Sequence, residues 1–168
     1  MLLLVIVGSI YGFLRYAQTQ YYVANSQGQI VVYRGINQSI IGFSLSNPYQ
    51  ATGILLAQVP SNYQGTVKAT DPASSLAGAE QIVANIRTAV SQCQQAYVKL
   101  KQWAAAETTY KEKVALAQKN HKPTRTIPQP GPQPPLQGAM CAPSSAFGIP
   151  ANDLVPTAPT APSSTGHS

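Results

Sequence analysis

The chain has 168 residues and carries 11 Lys plus Arg against 5 Asp plus Glu, a formal net charge of +6 with only 10% charged residues. This length predicts one small domain with tails, because a typical domain takes about 150 residues. The five carboxylates exclude most acid–base and hydrolytic-metal machinery, because such sites bring about two to four acidic groups to one spot.

The chain opens on an uncharged apolar run, MLLLVIVGSIYGFL. A full membrane span needs about 20 apolar residues, and the core of a secretion signal about 7 to 15. No Lys or Arg precedes the run, no clear signal-cleavage site follows it, and Tyr11, Arg15 and Tyr16 resemble an interfacial belt at headgroup depth. We therefore expect residues 1–16 to be the outer part of a transmembrane helix whose beginning is missing. A secretion signal and a buried core helix are the alternatives.

Residues 17–122 are predicted to form a small α+β domain. A hairpin pairs 21–24 with 30–33 across a Gly-containing loop. Because an isolated hairpin is marginal in water, a third strand is expected at 40–45 or at 54–59. The strands would form an antiparallel β-meander, with turns at Asn47-Pro48 and at Pro60-Ser61-Asn62.

A long helix follows, with Asp71 as its cap and Pro72 at its first position, or alternatively with Ser75 as its cap. Apolar residues then recur at alternating spacings of three and four, which makes one stripe along the helix. Packing of this stripe on the sheet is favoured over dimerisation as a coiled coil, because the paired flanking charges of such zippers are absent. The stripe consists of Leu76, Ala79, Val83, Ile86, Val90, Cys93, Tyr97 and Leu100.

Beyond Leu100 the same register would bring Glu107 and Lys111 inward. We therefore expect a bend at Lys101–Trp103 and a second helix that buries a different face. A straight helix of this length would also be about 68 Å long at 1.5 Å per residue, which is long for so small a domain. The predicted second face consists of Trp103, Ala106, Tyr110, Val114 and Ala117.

Residues 123–168 contain eleven prolines and only Arg125 and Asp153 as formal charges. Proline removes backbone donors, and the apolar residues here have no period, so this stretch is predicted to be a disordered tail. Its IPQPGPQPPLQ segment resembles polyproline. A flexible spacer is favoured over a ligand for a proline-recognition domain.

Cys93 and Cys141 are the two cysteines of the chain. An even count in a chain predicted to leave the cytoplasm favours a disulfide, which would tie the tail to the helix and contribute about 4 kcal/mol. One buried and one exposed thiol is the alternative. The isolated His121 and His167, without a C-x-x-C pair, argue against zinc.

Basic residues concentrate in 99–125, which has a local net charge of about +5. Such a stretch could hold anionic lipid headgroups or acidic cell-wall polymers, or it could be a solvated helix face. Nucleic acid is not expected, because Trp103 and Tyr110 do not make a stacking platform. The candidate contacts are Lys99, Lys101, Lys111, Lys113, Lys119 and Lys122.

Catalytic signatures are absent from the sequence, which has no G-x-S-x-G, no G-x-x-x-x-G-K and no H-E-x-x-H. A Cys–His pair that includes His121 is conceivable, but no spacing supports it. No catalytic, cofactor-binding or metal-binding residue is therefore predicted in this chain.

The stretch from Arg15 to Tyr49, RYAQTQYYVANSQGQIVVYRGINQSIIGFSLSNPY, follows the apolar run and leads to LAGAEQIVANIR. It resembles the C-terminal end of the membrane-anchored actinobacterial protein serine/threonine phosphatases of the metal-dependent 2C class. The most specific stretches are TQYYV and YRGIN. The likeness covers roughly residues 1–100, so the lysine-rich helix and the proline-rich end lie outside it.

The resemblance implies a cytoplasmic phosphatase domain, one transmembrane helix and a small extracytoplasmic domain, of which this chain would supply the last two. The two Mn or Mg ions of that family are held by aspartates of the catalytic domain, and this chain has only Asp71 and Asp153. The expected function is a non-catalytic anchor in the cell membrane that localises or regulates a phosphatase opposing membrane Ser/Thr kinases. The alternative is a secreted or tethered cell-wall-binding module unrelated to phosphatases.

Overall fold

A computed structural model of the chain describes residues 2–40, 43–136 and 140–157. It is an α+β structure with a four-stranded antiparallel sheet, which confirms the predicted class. The helices are α1 (Leu2–Ala17), α2 (Ser61–Ala69) and α3 (Leu76–Lys119). The strands are β1 (Tyr21–Ser26), β2 (Gln29–Ile40), β3 (Phe43–Leu55) and β4 (Asp71–Ala73).

The chain divides into two compact units. The first comprises Met1–Cys93 with Met140–Pro143, and the second comprises Gln94–Ala139 with Ser144–Ser168. Helix α3 contributes residues to both units.

The β1–β2 hairpin is confirmed, with Tyr22 opposite Tyr33 and Ala24 opposite Val31. Its loop is shorter than expected, because pairing continues to Ser26 and Gln29. The two loop residues, Gln27 and Gly28, have φ of 51° and 83°. Positive φ at both central positions is the geometry of a type I′ turn, whose twist matches that of the flanking strands.

The third strand combines parts of both predicted candidates and runs through Asn47-Pro48, so the turn predicted there was wrong. The sheet order is β3–β2–β1–β4, which makes β3 an edge strand. Proline is tolerated at an edge because its missing N–H costs no ladder bond on the open side. Three shifts in the β2–β3 register accompany the proline, and Pro48 lies opposite Tyr33.

Helix α2 and strand β4 were not predicted. Pro60 precedes α2 with φ −56°, and Pro60 O accepts hydrogen bonds from the N–H groups of Tyr63 and Gln64, so the turn predicted at Pro60-Ser61-Asn62 is a helix start. Asp71 and Pro72 pair with β1 as part of β4, so the predicted cap at Asp71 was also wrong.

Helix α3 begins at Leu76, and Ser75 caps it, as in the alternative prediction. The Ser75 Oγ accepts the Gly78 N–H at 3.1 Å, and the Ser75 carbonyl accepts the Ala79 N–H at 3.1 Å. A hydroxyl oxygen at this position satisfies one of the N–H groups that the first helical turn leaves without a partner.

The hydrophobic core of the first unit lies between the sheet and the first turns of α3. Val23, Ile30 and Val32 alternate along β1 and β2, and they are completely or almost completely buried. They share a core with Ala79, Val83 and Ile86 of α3, so the first part of the predicted stripe packs on the sheet. Ile54, Val59, Val67 and Ala73 complete this core.

In the second unit α3 continues to Lys119 as one helical element, so no second helix begins after the bend predicted at Lys101–Trp103. Burial stays on the original stripe, with Tyr97, Leu100 and Ala104 buried. The predicted second face is only partly covered or exposed along its length. The partly buried Glu107 lies on the inward side and pairs with Lys111 at 3.8 Å, so the charges that argued against a continued register neutralise each other.

Parts of the tail that was predicted to be disordered have regular structure or buried residues. Residues Ser144–Phe147 and Ala151–Leu154 form 3₁₀ helices, and Ala142, Ser144 and Ile149 are buried. In the second unit the Trp103 indole N–H donates to the Gly131 carbonyl at 2.9 Å. Residues 137–139 and 158–168 of the tail lie outside the described part of the chain.

Candidate functional site

The disulfide between Cys93 and Cys141 is present, as predicted, with the two Cα atoms 5.6 Å apart and the residues 48 positions apart in the chain. Cys93 is buried on α3. Beside Cys141, the Met140 carbonyl accepts the Ser61 N–H at the start of α2, at 2.8 Å. The disulfide therefore fixes the segment 140–143 to the first unit.

Helix α1 exposes its apolar side chains on all sides. Nine large apolar or aromatic residues of α1 are between 42% and 74% exposed. Within the described residues, no other part of the chain buries these side chains, unlike the side chains of a buried core helix. They are Leu4, Val5, Ile6, Val7, Ile10, Tyr11, Phe13, Leu14 and Tyr16. Among the helices in the described part of the chain, none combines the length and the apolar character that a membrane crossing requires.

A cavity of about 400 Å³ lies where α1 meets the sheet. Its charged lining residue is Arg34 of β2, whose Nε donates to the Gln18 carbonyl at 2.8 Å. The other lining residues come from the end of α1 and from β2 and β3: Leu14, Ala17, Gln18, Gly35, Ser44, Leu45 and Asn47.

Gly35 sets the close approach of β2 and β3 beside this cavity. Its φ is +118°, and a Cβ placed there would overlap the Leu45 carbonyl oxygen and lie 2.7 Å from the Ser46 Cα. Only glycine fits both the conformation and the space. The glycine N–H donates to the Gln20 carbonyl at 2.8 Å, which ties β2 to the segment that follows α1.

The two stretches that carry the family resemblance lie side by side on β1 and β2. Tyr22 and Tyr33 stack with ring centroids 4.9 Å apart and an angle of 4° between the rings. The Tyr22 hydroxyl lies 2.6 Å from the Ser46 Oγ of β3, and Tyr21 makes an edge contact with Tyr49. These tyrosines join the first three strands, which gives the stretches a structural role.

The Asn37 side chain also makes a structural contact, because its Nδ2 donates to the Thr70 Oγ1 at 2.8 Å. Thr70 has φ of 77°, an uncommon conformation for a β-branched residue. The bond thus secures the turn between α2 and β4.

The six predicted lysine contacts do not form one surface. Lys101 pairs with Asp153 at 2.8 Å, and Lys111 pairs with Glu107. At about 100° per residue, Lys99 and Lys113 lie about 40° apart around the helix, and Lys119 lies on a different side. Lys122 follows the end of the helix. Within the described residues, Lys99, Lys113, Lys119 and Lys122 are exposed and have no ion pair.

Acidic and metal-binding side chains do not converge in the part of the chain that the structure describes. No group of three or more His, Cys, Asp or Glu residues is placed to hold a metal there. Asp71 lies in β4, Asp153 pairs with Lys101, and His121 is exposed after the end of α3. His167 lies outside the described residues.

No pattern in the sequence indicates the cavity at the end of α1. Its lining is separated by up to 33 positions along the chain, and only the register of β2 and β3 brings it together. The one available signal was Arg34, a base in a stretch of β-type residues that otherwise lacks charge from residue 16 to residue 67.

Comparison of the chain with family models, with curated proteins and with solved structures gives no match in any of the three. The resemblance to membrane-anchored phosphatases therefore stays a prediction.

Proposed function

We propose that this chain is a membrane anchor with an extracytoplasmic α+β domain. The observation that carries the proposal is the exposure of nine large apolar side chains around α1. At about 1.5 to 3 kcal/mol for full burial of one such side chain, removing these half-exposed groups from water would contribute on the order of 10 kcal/mol. A bilayer supplies an apolar environment on all sides of a helix, which a folded domain of this size does not.

The end of α1 has the composition of a membrane interface. Tyr11 and Tyr16 are 66% and 61% exposed, and Arg15 lies in the last turn. Aromatic rings and basic side chains concentrate where acyl chains meet headgroups. Sixteen residues give about 24 Å of helix, so α1 by itself reaches most of the way through a hydrocarbon core of about 30 Å.

The disulfide supports the extracytoplasmic location, because cysteine pairs persist in oxidising compartments and are reduced in the cytosol. In this arrangement α1 is the segment embedded in the bilayer, and the sheet, α2 and α3 lie outside the cytoplasm.

Membrane attachment can be tested by substituting Ile6 and Ile10 together with Lys and measuring which fraction of the chain stays in membranes washed with alkaline carbonate. A Lys in the bilayer centre costs about 2.5 to 3.5 kcal/mol, so the double variant should move to the supernatant while the unsubstituted chain stays in the pellet. The matched control places Lys at Val98 and Leu116, two exposed apolar residues of α3, and should stay in the pellet. Release of the unsubstituted chain by the wash would contradict the proposal.

A narrower proposal is that the anchor serves a protein serine/threonine phosphatase that opposes membrane Ser/Thr kinases. It is supported by the resemblance around TQYYV and YRGIN. The metal-holding aspartates belong to that family's catalytic domain, so the purified chain should release no phosphate from phosphoserine peptides, with or without Mn²⁺. Phosphate release would contradict a non-catalytic role. An open reading frame for a phosphatase domain joined upstream of this segment in the genomic DNA would support the narrower proposal.

The second candidate is a cell-wall-binding module, favoured by the four lysines without ion pairs in the described residues. Electrostatic binding of this kind should weaken steeply with ionic strength. Substituting Lys99 and Lys113, which lie about 40° apart around α3, with Gln should weaken binding to a soluble polyphosphate at low salt, and unchanged binding would contradict this candidate. Recovery of the chain from culture medium, cleaved near Ala17, would favour this module as a secreted protein.

A further inference from the structure

The cavity at the end of α1 combines one basic group with apolar walls. Leu14 and Ala17 of α1 and Leu45 of β3 supply the apolar side, and Arg34 supplies the charge. None of the five acidic residues of the chain lines it. At about 400 Å³ it lies in the range of small-molecule sites, which is about 300 to 1,000 Å³.

Arg34 is held in place by a backbone contact that leaves most of its donors available. Its Nε donates to the Gln18 carbonyl at 2.8 Å, so the guanidinium is fixed beside the last turn of α1. Within the described residues Arg34 has no carboxylate partner. A guanidinium carries five N–H donors in a planar fork that matches the geometry of phosphate oxygens.

Neutral donors lie around the same opening. Asn47 and Gln18 bring side-chain amides, and neither amide has a hydrogen-bond partner in the described part of the chain. The Ser44 hydroxyl already donates its proton to the Ser46 carbonyl, with the two oxygen atoms 3.0 Å apart. A ligand with several acceptor oxygens would therefore meet the guanidinium and two amide groups.

The position of the cavity identifies the source of such a ligand. If α1 lies in the bilayer, as in the proposed function on which this inference rests, its last turn lies at headgroup depth. Leu14 and Ala17 then face the boundary where acyl chains end and phosphate groups begin. We propose that this cavity binds the headgroup phosphate of an anionic phospholipid, with Arg34 as the main contact and Leu14 beside the first part of an acyl chain.

The test uses the full chain in nonionic detergent micelles, with the arginine Nε–H signals followed by NMR. The probes are dihexanoyl phosphatidylglycerol, dihexanoyl phosphatidylcholine and inorganic phosphate, each titrated separately. We expect a saturable shift of the Arg34 signal with phosphatidylglycerol, and little shift with the other two probes. In the Arg34→Gln variant, binding of phosphatidylglycerol should weaken about tenfold or more, as expected for loss of a charge-assisted hydrogen bond. Arg34→Lys, which keeps the charge but not the fork, should lose part of the affinity.

The matched control is Arg87→Gln, which removes the same charge. Arg87 also bonds a backbone carbonyl, that of Thr52 at 3.2 Å, but it lies on α3 and does not line the cavity. The Arg87→Gln variant should bind phosphatidylglycerol as tightly as the unsubstituted chain does. Unfolding curves of each variant report whether the fold is retained.

Three results would overturn the inference: no saturable shift of Arg34 with phosphatidylglycerol, a shift with inorganic phosphate at the same concentrations, or equal weakening in both arginine variants. Failure of the proposed function is seen separately, as release of the unsubstituted chain from carbonate-washed membranes. A chain that stays in membranes and shows no lipid-dependent shift of Arg34 would keep the anchor and refute the lipid site.

Discussion

Reduction of the Cys93–Cys141 disulfide should destabilise the protein substantially. The bond closes a loop with a sequence separation of 48 residues, for which the chain-entropy model gives about 4 kcal/mol at 25 °C. The loop joins a buried position on α3 to the segment at Met140, whose carbonyl accepts the Ser61 N–H. For a protein of this size, each kcal/mol of lost stability lowers the unfolding temperature by about 2 to 4 °C. Loss of the disulfide should therefore lower the unfolding temperature by roughly 8 to 16 °C.

The assay is thermal unfolding of the full chain in detergent micelles, followed by circular dichroism with and without a phosphine reductant. A variant with Ala at both cysteine positions is the control, because its unfolding temperature should already be low and should not respond to the reductant. If reduction moved the midpoint of the unsubstituted chain by less than about 3 °C, which is about 1 kcal/mol, the loop-closure reasoning would be refuted.

Three further substitutions test the packing of the first unit by chemical denaturation. Gly35→Ala should lower the free energy of unfolding by roughly 2 to 4 kcal/mol, because backbone strain at φ +118° adds to the overlap of the new Cβ with the neighbouring strand. The control is Gly53→Ala, at φ +72° with open space around it, which should lower the free energy of unfolding by only about 1 kcal/mol. Equal losses in the two variants would contradict the overlap at Gly35. Ile86→Ala should cost about 2 to 5 kcal/mol, since Ile86 is completely buried in the core, and a loss below 1 kcal/mol would argue against that core. Tyr22→Phe keeps the ring stack but removes the hydroxyl bond to β3, so a loss of about 1 kcal/mol is expected, and an unchanged midpoint would mean that this bond does not stabilise the sheet.

Sequence periodicity predicted the elements whose residues lie close together in the chain. The β1–β2 hairpin needed only alternating apolar residues and a glycine loop, and the α3 stripe needed only its spacing of three and four. Both sets of buried residues then met in one core. The paired cysteines were also identified from the sequence, because their number and the predicted export left few other roles.

The incorrect predictions concern sequence patterns that are compatible with two different structures. Asn47-Pro48 is typical of a turn, but an edge strand accepts the proline. Asp71-Pro72 is typical of a helix start, but here both residues belong to the three-residue strand β4, which pairs with β1. The charge of Glu107 predicted a change of face on α3, yet a lysine one turn later compensates it.

Long-range contacts explain why the candidate site was missed. Leu14, Arg34 and Asn47 meet only because β2 and β3 pair in one particular register, and no single-sequence pattern encodes that register. The structure of residues 140–157 was likewise not predicted, because proline content predicts missing backbone donors but not the individual side-chain contacts that hold this segment.

The location of Cys141 in intact cells tests the central claim most directly. Cells that express the full chain would be treated with a membrane-impermeant phosphine and then with a membrane-impermeant thiol reagent, beside a lysed sample. An anchor with its domain outside the cytoplasm predicts that Cys141 is modified equally with and without lysis. Modification that appears only after lysis would contradict it.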